Sequence, residues 1–262
     1  MNFLLNTENL FIDATIISWD TEIFNSPVCQ INKIKIINEN AATKDYLNFK
    51  IWLDNKKITI VSCRLNHESL IESFFLEKMG FKFIEMVLHP NLDLLNNRVF
   101  IKEDIIISRP QEEDLDELEK IASSAFKNER YHVDPRIDSR FGNLRYMRWV
   151  RNSFKSEKQI LLKICDEKLL VGFFIIEIFE NNSAYWHLTA INPIYQGIGY
   201  GKRVWEAILY WHQKNGCTKI STTISARNIE VLNLYSKLNF RFSPPEMTFH
   251  FLNNIDKVQY KP

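Results

Sequence analysis

The run Gln196-Gly197-Ile198-Gly199-Tyr200-Gly201 constrains this chain more than any other stretch. An apolar, strand-like segment, Ala184 to Ile191, leads into it through an Asn192-Pro193 break. An amphipathic segment leaves it, with Val204, Ile208 and Trp211 at helical spacing and a stop signal at Asn215-Gly216. Strand, glycine loop and helix in that order leave backbone N–H groups at a helix N-terminus free to bind an anion. The glycines let the main chain approach a phosphate closely, and the helix dipole adds attraction. Lys202 and Arg203 put positive charge in the first turn, where acidic residues are usually preferred. The loop therefore reads as an anion site.

Elimination narrows the anion. A Walker loop needs Gly-Lys-Ser/Thr, and Gly201-Lys202 is followed by Arg203. A dinucleotide fingerprint reads GxGxxG with an acid about 20 positions on; these glycines are spaced GxGxG, and Thr218 to Thr223 contains no acid.

The stretch Ala190-Ile191-Asn192-Pro193-Ile194-Tyr195-Gln196-Gly197-Ile198-Gly199-Tyr200-Gly201 resembles the acyl-CoA signature of the GCN5-related N-acetyltransferase (GNAT) family. A second motif follows: Asn228, Ile229, Glu230, Leu232, Tyr235, Leu238 and Phe240 resemble the family's Asn-to-Gly-Phe helix, with Val231 for the usual alanine and Asn239 for the glycine. Asn also takes the left-handed C-cap conformation, so the helix end survives. The resemblance covers residues 105–251. It implies an α/β (α+β) GNAT fold, a mixed, mostly antiparallel sheet with splayed central strands, and acetyl-CoA as co-substrate. By the same resemblance, Leu188, Thr189, Ala190 and Ile191 pair with pantetheine, while Gln196, Gly197, Ile198, Gly199, Tyr200, Gly201 and Lys202 hold the pyrophosphate. Asn228 then hydrogen-bonds the cofactor, or else only caps its helix.

Length and composition fit. The 262 residues, 45% hydrophobic, suffice for one large or two small domains. A net charge of +1 exerts no global pull toward nucleic acid or membrane. No apolar run approaches the roughly 20 residues of a bilayer span, and the N-terminus carries no secretory pattern. Cys29, Cys63, Cys165 and Cys217 are scattered without CxxC spacing, which suits reduced core thiols in a cytoplasm, and no metal set is visible.

Residues 1–95 form a unit of their own. Strand patterns at Val28 to Ile37, Ile58 to Ser62 and Phe81 to Leu88 alternate with helical ones at Tyr46 to Leu53 and Glu68 to Met79. The piece Asn66 to Phe83 echoes Asn228 to Phe242, with Met79-Gly80-Phe81 against Leu238-Asn239-Phe240. Counting back from that phenylalanine puts Leu76 where Tyr235 stands. No glycine loop precedes the N-terminal copy. This unit is expected to be a partial, GNAT-like domain without chemistry, and chance likeness of two helix–strand units is the competing reading. Linker signals (Pro90, Asn91, Asn96, Asn97) mark His89 to Asp104, centred on 96–104. The catalytic domain is then 105–262, opening with the strand Ile105-Ile106-Ile107-Ser108 and the helix Asp114 to Phe126.

Between the first helix and second strand of that domain lies a basic insertion. Lys127 to Arg151 holds seven cations (Lys127, Arg130, Arg136, Arg140, Arg145, Arg148, Arg151) against Glu129, Asp134 and Asp138. Tyr131, His132, Phe141, Tyr146 and Trp149 are interleaved. Arginines bind phosphate through paired hydrogen bonds and flat rings stack on a base or sugar; a solvated helix paired with nearby acids uses the same residues. Arg130-Tyr131-His132-Val133-Asp134-Pro135-Arg136 is similar to the family's subgroup acting on nucleotide-linked amino sugars, the dTDP-fucosamine acetyltransferases. That resemblance assigns Arg130, Tyr131, His132 and Arg136 to a small nucleotide-sugar acceptor, with neither nucleic acid nor membrane as partner and a homodimer allowed.

Acyl transfer to an amine needs a stabilised oxyanion and a proton for the leaving thiolate. Tyr235, seven residues after Asn228, fits the family position of the general acid; it also fits an aromatic packing against Val231 and Leu238. His187 is the foremost candidate base, although strand histidines also serve cores, and His132 and Glu177 rank below it. Other amine acceptors and an acyl-CoA-binding regulatory module are the alternatives, and an intact Tyr235 argues against the module.

Overall fold

The computed structural model describes residues 2–97 and 104–253, which fall into two compact units. The first holds Met1–Val87, Val133–Phe141 and Pro244–Pro262; the second holds Leu88–His132 and Gly142–Ser243. The linker expected at 96–104 lies largely outside the described residues.

In the first unit, β1 (Asn2–Asn6), β2 (Leu10–Ile16) and β3 (Val28–Ile36) pair antiparallel in sequence order. Helix α1 (Ser18–Phe24) links β2 to β3. Helix α2 (Glu39–Asn55) crosses over to β4 (Ile60–Asn66), which pairs parallel with β3 from Val28/Ile60 to Ile31/Cys63. Helix α3 (Leu70–Lys78) then precedes β5 (Lys82–Asp93). The last strand of the chain, β12 (Arg241–Leu252), pairs antiparallel with β4, Glu246 opposite Asn66. Leu10, Ile12, Phe49, Leu53, Phe75 and Phe249 are among the side chains that fill this unit's core.

The second unit begins with the end of β5, whose Asn91–Asp93 pair antiparallel with β10 (Lys219–Thr222). Pro90 thus lies within a strand, and the chain leaves the sheet only after Asp93. The sheet continues through β9 (Ser183–Ile191), β8 (Leu169–Ile178), β7 (Ile160–Asp166) and β6 (Ile105–Ser108), antiparallel except for β9 and β10. Helices α4 (Leu115–Ala125), α5 (Arg130–Val133) and α6 (Ser139–Phe154) precede β7. Helix α7 (Tyr200–Lys214) connects β9 to β10, and α8 (Ile229–Lys237) follows the short β11 (Ile224–Ser225). Two apolar clusters hold this unit together. One contains Trp186, Val204, Ile208 and Tyr235, the other Leu118, Ile121, Phe173, Leu188 and Ala190. The sheet is mixed and its parallel pair is splayed, as the resemblance implies.

The order β1-β2-β3-α2-β4-α3-β5 repeats as β7-β8-β9-α7-β10-α8-β12, with β11 added. Parallel pairing ends at Ile31/Cys63 in one copy and at Trp186/Thr222 in the other. In each the next residue, Asn32 or His187, is a bulge. Phe81 follows Cys63, and Phe240 follows Thr222, by the same 18 residues. Leu76 therefore takes Tyr235's place. Asn66, whose echo of Asn228 the sequence suggests, instead ends β4; Ser69 stands at the helix start, where Asn228 stands in the other copy.

Candidate functional site

Strand β9 outruns its parallel partner. Pairing with β10 stops at Trp186, while β9 continues to Ile191, so one edge of residues 187–191 is released from the β10 ladder. The bulge also changes which way side chains point. Ahead of it Trp186 joins the α7/α8 core; beyond it Leu188 and Ala190 join the α4/α6 core. An extra residue in one strand shifts the alternation by one, so Thr189 turns back toward α8. The fork expected at Leu188–Ile191 is thus produced by one inserted residue, His187.

The glycine loop closes this fork at its open end. The Asn192 side chain accepts from the Ile194 amide, and the Gln196 carboxamide donates to the Ile191 carbonyl at 2.9 Å, which fixes the turn after β9. Gln196 acts on the protein's own backbone. Gly197 (φ +77°) and Gly199 (φ +96°) occupy the left-handed region, and a Cβ on either would meet no atom within 4 Å. Only glycine adopts these angles without strain, and both backbones stay uncovered. Helix α7 has no side-chain cap, so its first amides face the loop mouth without a protein acceptor from that position. Ile198 is exposed, and Gly201 packs toward Leu234. Lys202 is exposed beside Glu206 (3.6 Å). Arg203 is committed elsewhere: it pairs with Asp104 at 2.6 Å and Asp166 at 3.2 Å, and lies 5.0 Å from the Tyr200 ring centre. The Tyr200 hydroxyl also donates to Asp166. Of the two first-turn cations, Lys202 alone lacks such a strong tether.

Tyr235 is 1% exposed, packed against Phe240 (4.7 Å between centroids) within the α7/α8 core. Burial pushes its hydroxyl up to about 12, offset in part by Trp205, Thr222 and Thr189. Thr189 on β9 and Thr222 on β10 stand on the two sides of the fork, so the phenol points into its base. A hydroxyl so shifted stays protonated across the physiological range. Asn228 caps α8 by accepting from the Val231 amide, at 3.4 Å.

On the other side of the bulge, His187 Nε2 lies 2.8 Å from Glu177 Oε2 on β8, both groups half-buried. Tyr185 packs edge-on to the His187 ring at 4.9 Å, and Trp149 of α6 lies at 6.2 Å. Sequence pattern ranks Glu177 low; register alone brings it to the imidazole.

The basic insertion is built as an aromatic ladder. His132 stacks on Tyr146 (5.9 Å, 9°), Tyr146 on Trp149 (6.3 Å, 9°), and Arg145 sits 5.2–5.8 Å from the rings of Tyr131, Tyr146 and Trp149. Gly142 makes room for His132, since a Cβ there would fall 2.4 Å from the imidazole. His132 Nε2 meets the Asn143 side chain at 2.9 Å, while its buried Nδ1 has no partner among the described residues. Tyr131 is 2% exposed, with Arg130 over its ring at 4.7 Å. Arg136 is bonded twice to Asp134 (2.9 and 2.8 Å), and Asp134 meets His250 Nδ1 at 3.0 Å. These hydrogen bonds hold the Asp134 carboxyl well below the usual range despite its burial. The structure thus groups Arg130, Tyr131 and His132 on α5, and places Arg136 with Asp134 and His250 in the first unit.

Residues 115–240 match the model of the acetyltransferase (GNAT) family, whose members use acetyl-CoA as co-substrate. No curated protein matches the chain in sequence. Among solved structures, the chain is similar to a GCN5-related N-acetyltransferase from Sphaerobacter thermophilus (TM-score 0.63, 10% identity, 93% of this chain and 76% of that one). It is also similar to a tandem GNAT protein from the clavulanic acid biosynthesis pathway (0.61, 10%, 96% and 82%). A third is a glucosamine N-acetyltransferase region of a fungal multi-domain β-N-acetylglucosaminidase (0.65, 12%, 93% and 31%). These likenesses establish the fold. Among the described residues, no helix is long and apolar enough to cross a membrane.

Proposed function

We propose that the chain is an acetyl-CoA-dependent N-acetyltransferase of the GNAT family, whose model residues 115–240 match, and that it acetylates the amine of a nucleotide-linked amino-dideoxy sugar. The observation that carries the reading is the bulge at His187, which sets an imidazole–carboxylate pair on one side of the fork and the Tyr235 phenol on the other. The uncapped amides of α7 and the open backbones of Gly197 and Gly199 suit a diphosphate, with Lys202 adding charge. The released edge of Leu188–Ile191 suits an amide-bearing arm laid alongside it as a further strand.

The residues then divide the work. His187, oriented by Glu177, takes a proton from the incoming ammonium, and the free amine attacks the thioester carbonyl. Backbone N–H groups beside the fork stabilise the oxygen as negative charge develops there. As the C–N bond forms and the C–S bond breaks, Tyr235 gives its proton to the departing thiolate, and the proton shed by the acylated nitrogen restores the phenol. On the acceptor side, Arg130 and the unpartnered Nδ1 of His132 suit the nucleotide and sugar oxygens, with Trp149 as a flat wall. The glucosamine-acetylating neighbour supports an amino sugar as being within this fold's reach.

Thiol release from acetyl-CoA tests the reading against dTDP- and UDP-linked amino sugars, free aminohexoses, lysine and spermidine. A nucleotide-linked amino sugar is expected to give the highest kcat/KM, by roughly 100-fold or more, as hydrogen-bonded sites discriminate against acceptors lacking the matching groups. Preference for lysine or a polyamine would replace the sugar.

A further inference from the structure

The two copies present the same sheet face in different states. Across β3, β4 and β12 of the first unit runs the row Gln30, Ser62, His250. Across β9, β10 and β5 of the second runs the equivalent row Tyr185, Ser221, Asn91. In the first unit two of the three are sealed: Ser62 is 1% and His250 0% exposed, and Ser62 donates at 2.6 Å to Gln30, which keeps partial exposure. The seal is a piece of the chain itself, Val133–Phe141, whose Asp134 meets His250 and whose Phe141 stacks on Phe24 at 4.6 Å. In the second unit Tyr185, Ser221 and Asn91 all keep partial exposure.

The open row is also organised. The Tyr185 hydroxyl lies 2.5 Å from Thr223 Oγ1, which lies 3.4 Å from His89 Nδ1. Tyr185 is in turn packed on His187, and His187 on Glu177. Hydroxyl and imidazole groups from β5, β9 and the β10–β11 junction therefore line up beside the candidate base, each able both to donate and to accept.

We propose that Tyr185, Thr223 and His89 form the subsite for the acceptor's ring, reading a hydroxyl next to the amine that His187 deprotonates. This rests on the acetyltransferase reading above. The class of ligand follows from the groups: hydroxyl and imidazole side chains that both donate and accept suit a polyhydroxylated ring. The first unit cannot serve the same purpose, because its own Asp134 segment lies over the matching row.

The test uses the full chain and whichever amine of the panel above is turned over. Tyr185→Phe and Thr223→Val are each compared with the parent on that amine and on its analogue lacking the adjacent hydroxyl. Expected is a roughly tenfold fall in kcat/KM on the hydroxylated acceptor, the size of one lost hydrogen bond, with the deoxy analogue and the KM for acetyl-CoA unchanged. An equal fall on both acceptors would make the row structural; no change on either would remove it from the site. If only amines without hydroxyls are turned over, the sugar reading and the hydroxyl subsite fall together. Turnover of hydroxylated sugars that ignores both substitutions overturns the subsite alone.

Discussion

Two residues separate the end of β3 from helix α2, with Asn38 accepting from the Ala41 amide and Glu39 adding negative charge to the first turn. Eight residues separate the end of β9 from helix α7, which begins behind Gly199 with no side-chain cap and no acid in its first turn. One helix start is closed by a capping side chain and an acid, and the other carries neither. The rest of each copy agrees with its helix. Where the second has Tyr235, His187 and Thr222, the first has Leu76, Asn32 and Cys63, and Leu76 is fully buried. At the places of Tyr235 and Thr222 the first copy thus has apolar or weakly polar side chains, which leaves fewer buried polar groups in need of partners.

The largest effect that would sharpen this contrast comes from Tyr235→Phe, which takes the second copy one step toward the first. Turnover is expected to drop about 100-fold or more while the KM for acetyl-CoA holds, as loss of general acid catalysis implies; steady-state kinetics with parent-like kcat would return Tyr235 to the core. Next comes Gly199→Val, which forces a β-branched residue to φ +96° at the open helix start. Strain of about 2 kcal/mol should raise the acetyl-CoA dissociation constant roughly 30-fold, read by titration calorimetry, and unchanged binding would place the diphosphate elsewhere.

A pH effect follows in size. His212 is buried and accepts from Trp186 Nε1 at 2.9 Å, and burial lowers it to about 4. The fold thus favours the neutral ring. Its stabilising share is complete above the unfolded value of about 6.5 and is lost as pH falls toward 4, about 2–3 kcal/mol by pH 4.5. His212→Gln should flatten that acid limb in thermal melts. Ile31 holds the place of Trp186 in the first copy, so melting of that unit should lack this contribution. The smallest effect is Asn38→Ala, expected to cost about 1 kcal/mol in denaturant unfolding and to leave kcat untouched; a change in turnover would mean that α2 is not a silent helix.

Much of the candidate site is legible because its parts are near neighbours in sequence. The glycine loop, the Asn228 cap and the spacing to Tyr235 are carried by neighbours in sequence, as is the Leu76 substitution. The partners that sequence misses are joined by register. Glu177 reaches His187 only because β8 and β9 slip by one residue at the bulge, and Tyr185, Thr223 and His89 meet across three segments of the chain. Arg136 illustrates the converse. Its neighbours suggest a phosphate ligand, yet a carboxylate two residues away and a histidine 114 residues on occupy that part of the molecule. The aromatic insertion is similar: Tyr131 and Tyr146, flat rings suited to stacking on a nucleotide, are buried against each other's cations and rings.

The pairing of β4 with β12, and of β10 with the end of β5, means that each unit borrows its closing strand from the far side of the sequence. Cutting the gene near codon 95 would therefore yield two fragments, each with a raw β edge, prone to stick to its own kind. Deleting residues 1–95 would take away the end of β5, the strand that pairs with β10.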